Sequence, residues 1–357
     1  MTRLIRARID SAALRANLRA IRARAARSRV MAVVKANAYG HGLVPTALAL
    51  ADADAFAVAR LEEAVALRDN GLRRRIVLLE GVFDAAQLAQ AAQLELDLVV
   101  HQPLQIELLE AFAGPTPPLW LKVDTGMNRL GFRPEQFRAA WERLRRLQPA
   151  PQQLRIMTHL ACADEADDGS SAQQLQRLRP LLEGLDAELS IANSAAVLAL
   201  PASHAQWVRP GLALYGVSPF AAQRGAQFGL RPAMTLESTV IAVREVDVGE
   251  RVGYGGVWRA QRRSRLAIVA AGYGDGLPRG IPSGAPVLIG GHRAPIAGRV
   301  SMDMIAADIT DLPPVGVGDR VELWGTRLAV EELAAAAGTI PYELLCGVSQ
   351  RVPIELV

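Results

Sequence analysis

From Val30 onward the chain alternates short apolar runs with longer stretches in which apolar residues return every three or four positions. These are the periodicities of buried strands and amphipathic helices. The apolar runs are Val30–Lys35, Ala55–Ala59, Ile76–Glu80, Leu96–His101, Leu119–Asp124, Leu154–His159, Leu189–Asn193 and Trp207–Leu214. Helical stretches such as Leu61–Asn70, Asp84–Gln93, Pro103–Phe112, Pro134–Leu147 and Ser171–Leu185 lie between them. Eight strands with intervening helices predict an α/β fold of the (β/α)8 TIM-barrel type, because a doubly wound sheet seldom needs so many units. No G-x-G-x-x-G loop follows the first strand, which argues against a nicotinamide enzyme.

A strand-like stretch near 3–10 (Arg6–Asp10) comes before this alternation, with an arginine-rich helix carrying Leu14, Leu18 and Ile21 on its apolar side. From about Met234 the texture changes to β-branched runs divided by Gly and Pro: Thr235–Val243, Leu266–Ala271, Val287–Ile289, Ile305–Ile309 and Arg320–Trp324. One helix, Val330–Ala337, interrupts them, and Pro341–Leu345 reads as a short turn. The expected organisation is a barrel over 1–230 and a second, mainly β domain over 231–357, with Phe220–Arg231 as linker and the first strand free to join the β domain.

Length supports two domains, since 357 residues exceed the roughly 250–300 at which single cores stop growing. The net charge of +4 is spread along the chain, without the clustered stripe that nucleic-acid binding needs. The two cysteines, Cys162 and Cys346, lack metal-ligand spacing and are too few for a disulfide framework, which fits a reducing cytoplasm. No signal peptide or long uncharged apolar run is visible, so a soluble cytoplasmic protein with no membrane partner and no metal is expected.

Charge matters more in its kind than in its sum. Of 40 Lys+Arg residues only Lys35 and Lys122 are lysines. A guanidinium does not give up its proton, whereas a buried ammonium can become the neutral amine that attacks a carbonyl. Lys35 closes a Val-Val run and Lys122 sits inside Leu119-Trp-Leu-Lys122-Val123, and reactive groups of a barrel collect at the carboxyl ends of its strands. The other polar residues that end such runs are Asp124, His159, Asn193, Ser194 and Arg209. Ser194 at a strand-to-helix turn, Gly211 beside Leu212, and Tyr39 beside Gly40 add an anion site suited to phosphate. A lysine for an imine, a phosphate cradle, an arginine and a histidine at one mouth suggest pyridoxal phosphate. A Schiff-base aldolase is the competing chemistry, although its lysine usually lies later in the barrel.

These residues resemble the alanine racemases. Ala32-Val-Val-Lys35-Ala-Asn-Ala-Tyr39-Gly-His-Gly42 is similar to that family's cofactor-attachment signature, and Lys122-Val-Asp124-Thr-Gly-Met-Asn-Arg129-Leu-Gly-Phe132 to its second block. His159-Leu-Ala-Cys-Ala-Asp164, Asn193-Ser194-Ala-Ala, Val208-Arg209-Pro-Gly-Leu-Ala-Leu-Tyr-Gly216, Val252-Gly-Tyr254-Gly and Ser301-Met302-Asp303 follow in the family's order. The seven blocks span essentially the whole chain.

The resemblance implies that Lys35 holds pyridoxal 5'-phosphate covalently and is one catalytic base, with Tyr254 as the other. It implies exchange of the alanine α-proton between two bases, the lysine serving D-alanine and the tyrosine L-alanine. A tyrosine of ordinary pKa about 10 is a poor base at neutral pH unless cations favour its phenolate, so arginines are expected near Tyr254. By the same resemblance Arg209 faces the pyridine nitrogen, His159 packs on the ring, and Asn193 belongs to the cofactor site. Tyr39, Ser194, the backbone of Gly211 and Leu212, and Tyr342 are implied phosphate ligands. Arg129 is implied to contact the cofactor's phenolic oxygen and the substrate carboxylate, the backbone of Met302 to contact substrate and Tyr273 to line the entry, with Asp303 as a supporting residue. Lys122 matches a lysine that many members carry as a CO2-derived carbamate. Ser190 is a departure: some members have there a histidine that joins the tyrosine's hydrogen-bond network, and a serine cannot carry its charge.

Family members are head-to-tail homodimers with shared active sites, which implies that Tyr254, Tyr273, Met302 and Asp303 act across the interface. The activity implied is interconversion of L- and D-alanine, for cell-wall synthesis or D-alanine catabolism. A pyridoxal-phosphate decarboxylase of related barrel fold is the alternative, but it expects a longer chain and a cysteine or acid in place of Tyr254. A non-catalytic pyridoxal-phosphate carrier would not need the β domain.

Overall fold

The computed structural model describes residues 4–148, 153–165 and 168–357; Arg3, at the start of the first expected strand, lies outside them. Eight parallel strands close into a barrel in sequence order: Arg29–Val33, Ala55–Val58, Arg75–Leu78, Asp97–Val100, Leu119–Lys122, Leu154–Met157, Leu189–Ser190 and Trp207–Val208. The last pairs with the first, Arg29 against Trp207 and Val30 against Val208. Most of these strands are buried at nearly every residue, as expected of a parallel sheet covered on its outer face by helices. Local signals place those helices. Asp84 caps Ala85–Gln93 by accepting the Gln87 N–H at 2.8 Å, and proline opens both Pro103–Ala111 and Pro134–Leu147, where its missing N–H costs nothing.

Four expectations change in detail. The first barrel strand stops at Val33, so Lys35 lies beyond it and opens a turn. The run Trp207–Leu214 is strand only at Trp207–Val208, since Pro210 cannot donate to a ladder, and Leu212–Tyr215 is a 3-10 turn. The helix expected at Ser171–Leu185 ends at Leu178 and tightens to a 3-10 turn at Arg179–Leu182, where Pro180 lacks the required N–H. Pro341–Gly347 is a helix rather than a short turn.

Contacts divide the chain into two compact units. One contains Arg15–Ala38 and Leu43–Leu214 and holds the barrel. The other gathers the residues up to Leu14, Tyr39–Gly42 and Tyr215–Val357. Its main sheet runs in the order His292–Pro295, Pro286–Ile289, Arg320–Trp324, Met234–Val246, Arg6–Ile9, Ile354–Leu356, with Ser264–Val269 also on Met234–Val246 and Ile305–Asp308 on Ser264–Val269. The long strand Met234–Val246 starts with strict alternation of buried and half-buried residues, the signature of a sheet with one face on a core. Arg6–Ile9 pairs antiparallel with it and parallel with Ile354–Leu356.

The amino ends of the barrel strands carry a buried charge network. Asp97 accepts from Arg75 Nη1 at 2.7 Å and from Trp120 Nε1 at 2.9 Å. Glu188 accepts from Arg155 Nε at 2.8 Å and Trp207 Nε1 at 2.9 Å, and pairs with Arg29. Burial pushes both carboxyls up. At Asp97 burial wins, whereas at the more open Glu188 the bonds from Trp207, Arg155 and Arg29 win and bring it down to about 2. Replacing Asp97 by alanine strands the Trp120 N–H and two guanidinium groups, and is expected to cost about 3 kcal/mol in urea unfolding. Asp97→Asn, which keeps an acceptor for Trp120, should cost clearly less; equal losses would contradict the network's role.

Candidate functional site

At the opposite end of the barrel the polar residues gather. Lys35 follows the first strand by two positions, Lys122 ends the fifth, His159 follows the sixth by two, Ser190 ends the seventh, and Arg209 follows the eighth. Asn193 accepts the Ala196 N–H at 3.1 Å and so caps the helix Ser194–Ala199, which starts at Ser194.

The turn at Lys35–Tyr39 is left-handed: Ala36, Asn37, Ala38 and Tyr39 have φ of 54°, 53°, 54° and 52°. For residues with a Cβ this conformation costs roughly 1–2 kcal/mol each and persists only where the surroundings over-determine it. The surroundings do so here. Ala38 N–H bonds the Val34 carbonyl at 2.8 Å, Asn37 Oδ1 accepts the Leu43 N–H at 2.8 Å, and Glu63 accepts the Ala36 N–H at 2.6 Å. The strain sets the direction in which the chain leaves Lys35.

Arg209 is the most deeply placed cation. Its Nη1 donates to Ser190 Oγ at 2.6 Å and its Nη2 to the carbonyls of Thr158 at 2.6 Å and Ile191 at 3.2 Å. Burial lowers its pKa to about 10, which still leaves it charged at neutral pH. No carboxylate pairs with it among the described residues. Nη2 also lies 3.3 Å from His159 Nδ1. Arginine only donates, so Nδ1 must be the bare nitrogen of that imidazole. Burial, then the charges of Arg209, Lys122, Arg129 and Lys35, hold His159 far below its ordinary value, so it is neutral. Ser190, the departure noted in the sequence, spends its hydroxyl inside the barrel, accepting from Arg209 and donating to the Trp207 carbonyl at 3.0 Å.

Lys122 feels the same cluster. Burial and then Arg209, Arg129 and Lys35 depress it to about 8, against which Asp124 works alone. Four cations therefore share one region with a single nearby carboxylate. That carboxylate is already committed, accepting the N–H groups of Gly126 at 2.9 Å and Asn128 at 3.1 Å in the turn that leads to Arg129. Ser194 supplies a second polar focus, its buried hydroxyl accepting the N–H groups of Gly211 at 2.9 Å and Ala213 at 3.2 Å.

The remaining sequence-derived residues belong to the other unit. The buried Tyr39 ring stacks on Tyr215 at 4.9 Å and lies 5.9 Å from Tyr342. Burial, with Tyr342 and Cys346 nearby, pushes its phenol up, so it stays a protonated donor. Gly40 beside it has φ 78°, and a Cβ there would lie 2.0 Å from the Leu345 carbonyl oxygen. Tyr273 and Met302 share one constellation: Tyr273 N–H bonds the Ser301 carbonyl at 2.9 Å and Gly274 N–H the Met302 carbonyl at 2.8 Å. Asp303 pairs with Arg351 at 2.8 Å, which also grips buried Asp275 at 2.8 Å. Tyr254 is 64 % exposed, in a turn flanked by two arginines: a Cβ on Gly255 would lie 3.1 Å from Arg299 Nη1, and one on Gly256 2.7 Å from Arg251 Cδ. Arg351, Thr158 and Gln174 belong to no motif, because each meets its partners only through the fold.

The family model described as Alanine racemase, N-terminal domain, matches residues 9–219, and that described as Alanine racemase, C-terminal domain, matches residues 233–356. The chain is 50% identical over 354 residues to an alanine racemase of Nitrosospira multiformis, covering 99% of each. It is 48% identical over 358 residues to one of Shewanella amazonensis, covering 98% of each. Among solved structures, the biosynthetic alanine racemase of Pseudomonas aeruginosa superposes with a TM-score of 0.96 at 49% identity, over 100% of both chains.

A depressed lysine is testable directly. In protein freed of small molecules, modification of Lys122 by an amine-selective reagent should rise through a midpoint near pH 8, because the neutral amine grows as pH passes the pKa. Peptide mapping by mass spectrometry reads it out, and a midpoint at the ordinary value of about 10.4 would contradict the cluster.

Proposed function

We infer, from the premise that this chain belongs to the alanine racemase family, how it interconverts L- and D-alanine: with pyridoxal 5'-phosphate at the barrel mouth and Lys35 and Tyr254 as the proton-carrying residues. The residues present fit that cofactor on two counts. Ser194 Oγ accepts the N–H groups of Gly211 and Ala213, which leaves its O–H to donate to a phosphate. Buried Arg209 makes its bonds through Nη1 and Nη2, and its Nε–H suits an unprotonated ring nitrogen.

Lys35 would hold the cofactor covalently; Tyr39, Ser194, the backbone of Gly211 and Leu212, and Tyr342 would hold its phosphate. Asn193 caps the helix that presents Ser194, and neutral His159 would pack on the cofactor ring. When bound, the cofactor supplies an electron-withdrawing π-system that weakens the alanine Cα–H bond. Arg209 would donate a hydrogen bond without yielding a proton, which would limit that withdrawal and favour return of hydrogen at Cα over transamination. Inversion requires the proton to leave to one base and return from another, so Lys35 Nζ serves D-alanine and Tyr254 Oη serves L-alanine. Arg299 and Arg251 lie beside the Tyr254 turn, where the resemblance leads arginines to be expected.

Arg129 and the Met302 backbone bind the alanine carboxylate, and Tyr273, with Asp303 beside it, narrows access to small side chains. Lys122 in its neutral form can add to CO2 and release a proton; the resulting carbamate anion would sit among the cations and orient Arg129. We further propose a cytoplasmic homodimer with shared sites, Tyr254, Tyr273, Met302 and Asp303 acting from the partner, that makes D-alanine for peptidoglycan or serves its catabolism. No helix among the described residues is long and apolar enough to cross a membrane. The relatives are racemases over the full length, so neither a decarboxylase nor a cofactor carrier is favoured.

The observation that carries this reading is the cluster of Lys35, Lys122, Arg129 and Arg209 around a neutral histidine with one committed carboxylate. It demands anionic partners, which a phosphate-bearing cofactor, a carbamate and a substrate carboxylate would supply. Incubation with L-alanine in deuterated water should yield D-alanine deuterated at Cα, seen by NMR after chiral separation; D-alanine without deuterium would rule out proton exchange. Tyr254→Phe should slow turnover of L-alanine by about 10²–10⁴-fold while cofactor absorbance is kept, and an unchanged rate would remove Tyr254 from the reaction.

A further inference from the structure

We propose that Gln174 is a positioning residue for Arg129, fixing the loop that carries it against the strand end that carries His159 through an ordered chain of hydrogen bonds. The proposal rests on the reading that Arg129 binds the substrate carboxylate. Gln174 lies on the helix Ser170–Leu178, among exposed glutamine and arginine neighbours, yet it is only 3 % exposed. A buried amide is costly unless its donors and acceptor are used.

All of them are used, and every bond reaches the edge of the site. Gln174 Oε1 accepts the Ala161 N–H at 2.9 Å, and Nε2 donates to the His159 carbonyl at 2.9 Å and to Thr125 Oγ1 at 3.1 Å. Thr125 Oγ1 and Thr158 Oγ1 are 2.9 Å apart, and Thr158 Oγ1 donates to the Val123 carbonyl at 2.9 Å. An amide N–H can only donate and a carbonyl can only accept, so the direction of the whole chain is determined. It runs from Gln174 to the Thr125 hydroxyl, on to the Thr158 hydroxyl, and ends on Val123.

Val123 lies between Lys122 and Asp124, and Asp124 holds the turn to Arg129 through Gly126 and Asn128. Arg177, one turn along the same helix, adds a bond to the Thr125 carbonyl at 3.2 Å. Gly126, with φ 147°, allows the loop to lie against the helix, because a Cβ there would come within 3.3 Å of Gln174 Cγ. The Thr158 carbonyl in turn receives Arg209 Nη2 at 2.6 Å. One side chain thus sets the distance between the Arg129 loop and the His159–Arg209 side of the mouth.

The test uses Gln174→Met, which keeps length and loses the polar atoms, with Thr125→Val and Thr125→Ser to remove and keep the relay hydroxyl. Gln174→Met should raise KM for both alanine enantiomers about tenfold, with a smaller change in kcat and unchanged cofactor absorbance. Thr125→Val should do the same, Thr125→Ser should behave as the parent, and the Gln174→Met/Thr125→Val double variant should be no worse than Gln174→Met alone. In protein freed of small molecules, hydrogen exchange at the Gly126 and Asn128 amides should accelerate in Gln174→Met while barrel-strand amides keep their protection. A lower melting temperature with KM and these exchange rates unchanged would overturn the proposal, as would equal damage from Thr125→Val and Thr125→Ser. If Gln174→Met does not fold, the Thr125 pair decides alone. Arg129→Ala separates the two layers: no rise in KM there overturns the reading of Arg129 itself, whereas a rise there with none in Gln174→Met overturns only the positioning role.

Discussion

Positive charge held without matching negative charge is the constraint on which the barrel mouth depends. Burial, reinforced by the charges of Arg209, Arg129 and Lys35, brings Lys122 down to about 8, and burial with those charges and Lys122 keeps His159 neutral. Like charges in a poorly solvated region cost energy that folding must offset elsewhere. Arg209 is tolerated because neutral oxygens of Ser190, Thr158 and Ile191 satisfy its donors. They solvate the guanidinium without cancelling its charge, so it stays available to an outside acceptor.

The two ends of the barrel solve opposite problems with the same residue types. At the amino ends Arg75, Arg155 and Arg29 meet Asp97 and Glu188, and two tryptophan N–H groups complete the acceptors. Charge there is consumed internally and specifies how the strands close. At the carboxyl ends the cations outnumber the carboxylates, and Asp124 is spent on backbone amides of its own loop. A buried pair contributes little net stability but is costly to break, whereas an unpaired cluster invites ligands.

Geometry at the mouth is held by backbone as much as by side chains. The left-handed turn after Lys35 stores strain that Glu63, Asn37 and the Val34 carbonyl restrain. Directed hydrogen bonds from Gln174 do the corresponding work for the loop of Arg129. In both places a polar side chain from a neighbouring element meets backbone groups that no strand or helix satisfies.

The barrel was legible in the sequence because each of its strands is a local apolar run bounded by polar residues, and parallel pairing in sequence order needs no further information. The polar residues at the barrel mouth were legible for the same reason: in a parallel barrel the polar residues near the end of a run lie at the carboxyl-end face, so Lys122, His159 and Arg209 could be placed there from spacing, and chemistry alone singled out two lysines among arginines. The pairing of Arg6–Ile9 with Met234–Val246, the left-handed turn at Ala36–Tyr39 and the burial of Gln174 were decided only by the tertiary structure. Pairing across more than two hundred residues leaves no local periodicity, a strained turn contradicts local preference, and an amide on a polar helix face looks solvated until another loop closes over it. Periodicity and residue type record what a segment can do with its neighbours in sequence; depression of Lys122 and the direction of the Thr125–Thr158 relay arise from groups that only folding brings within reach.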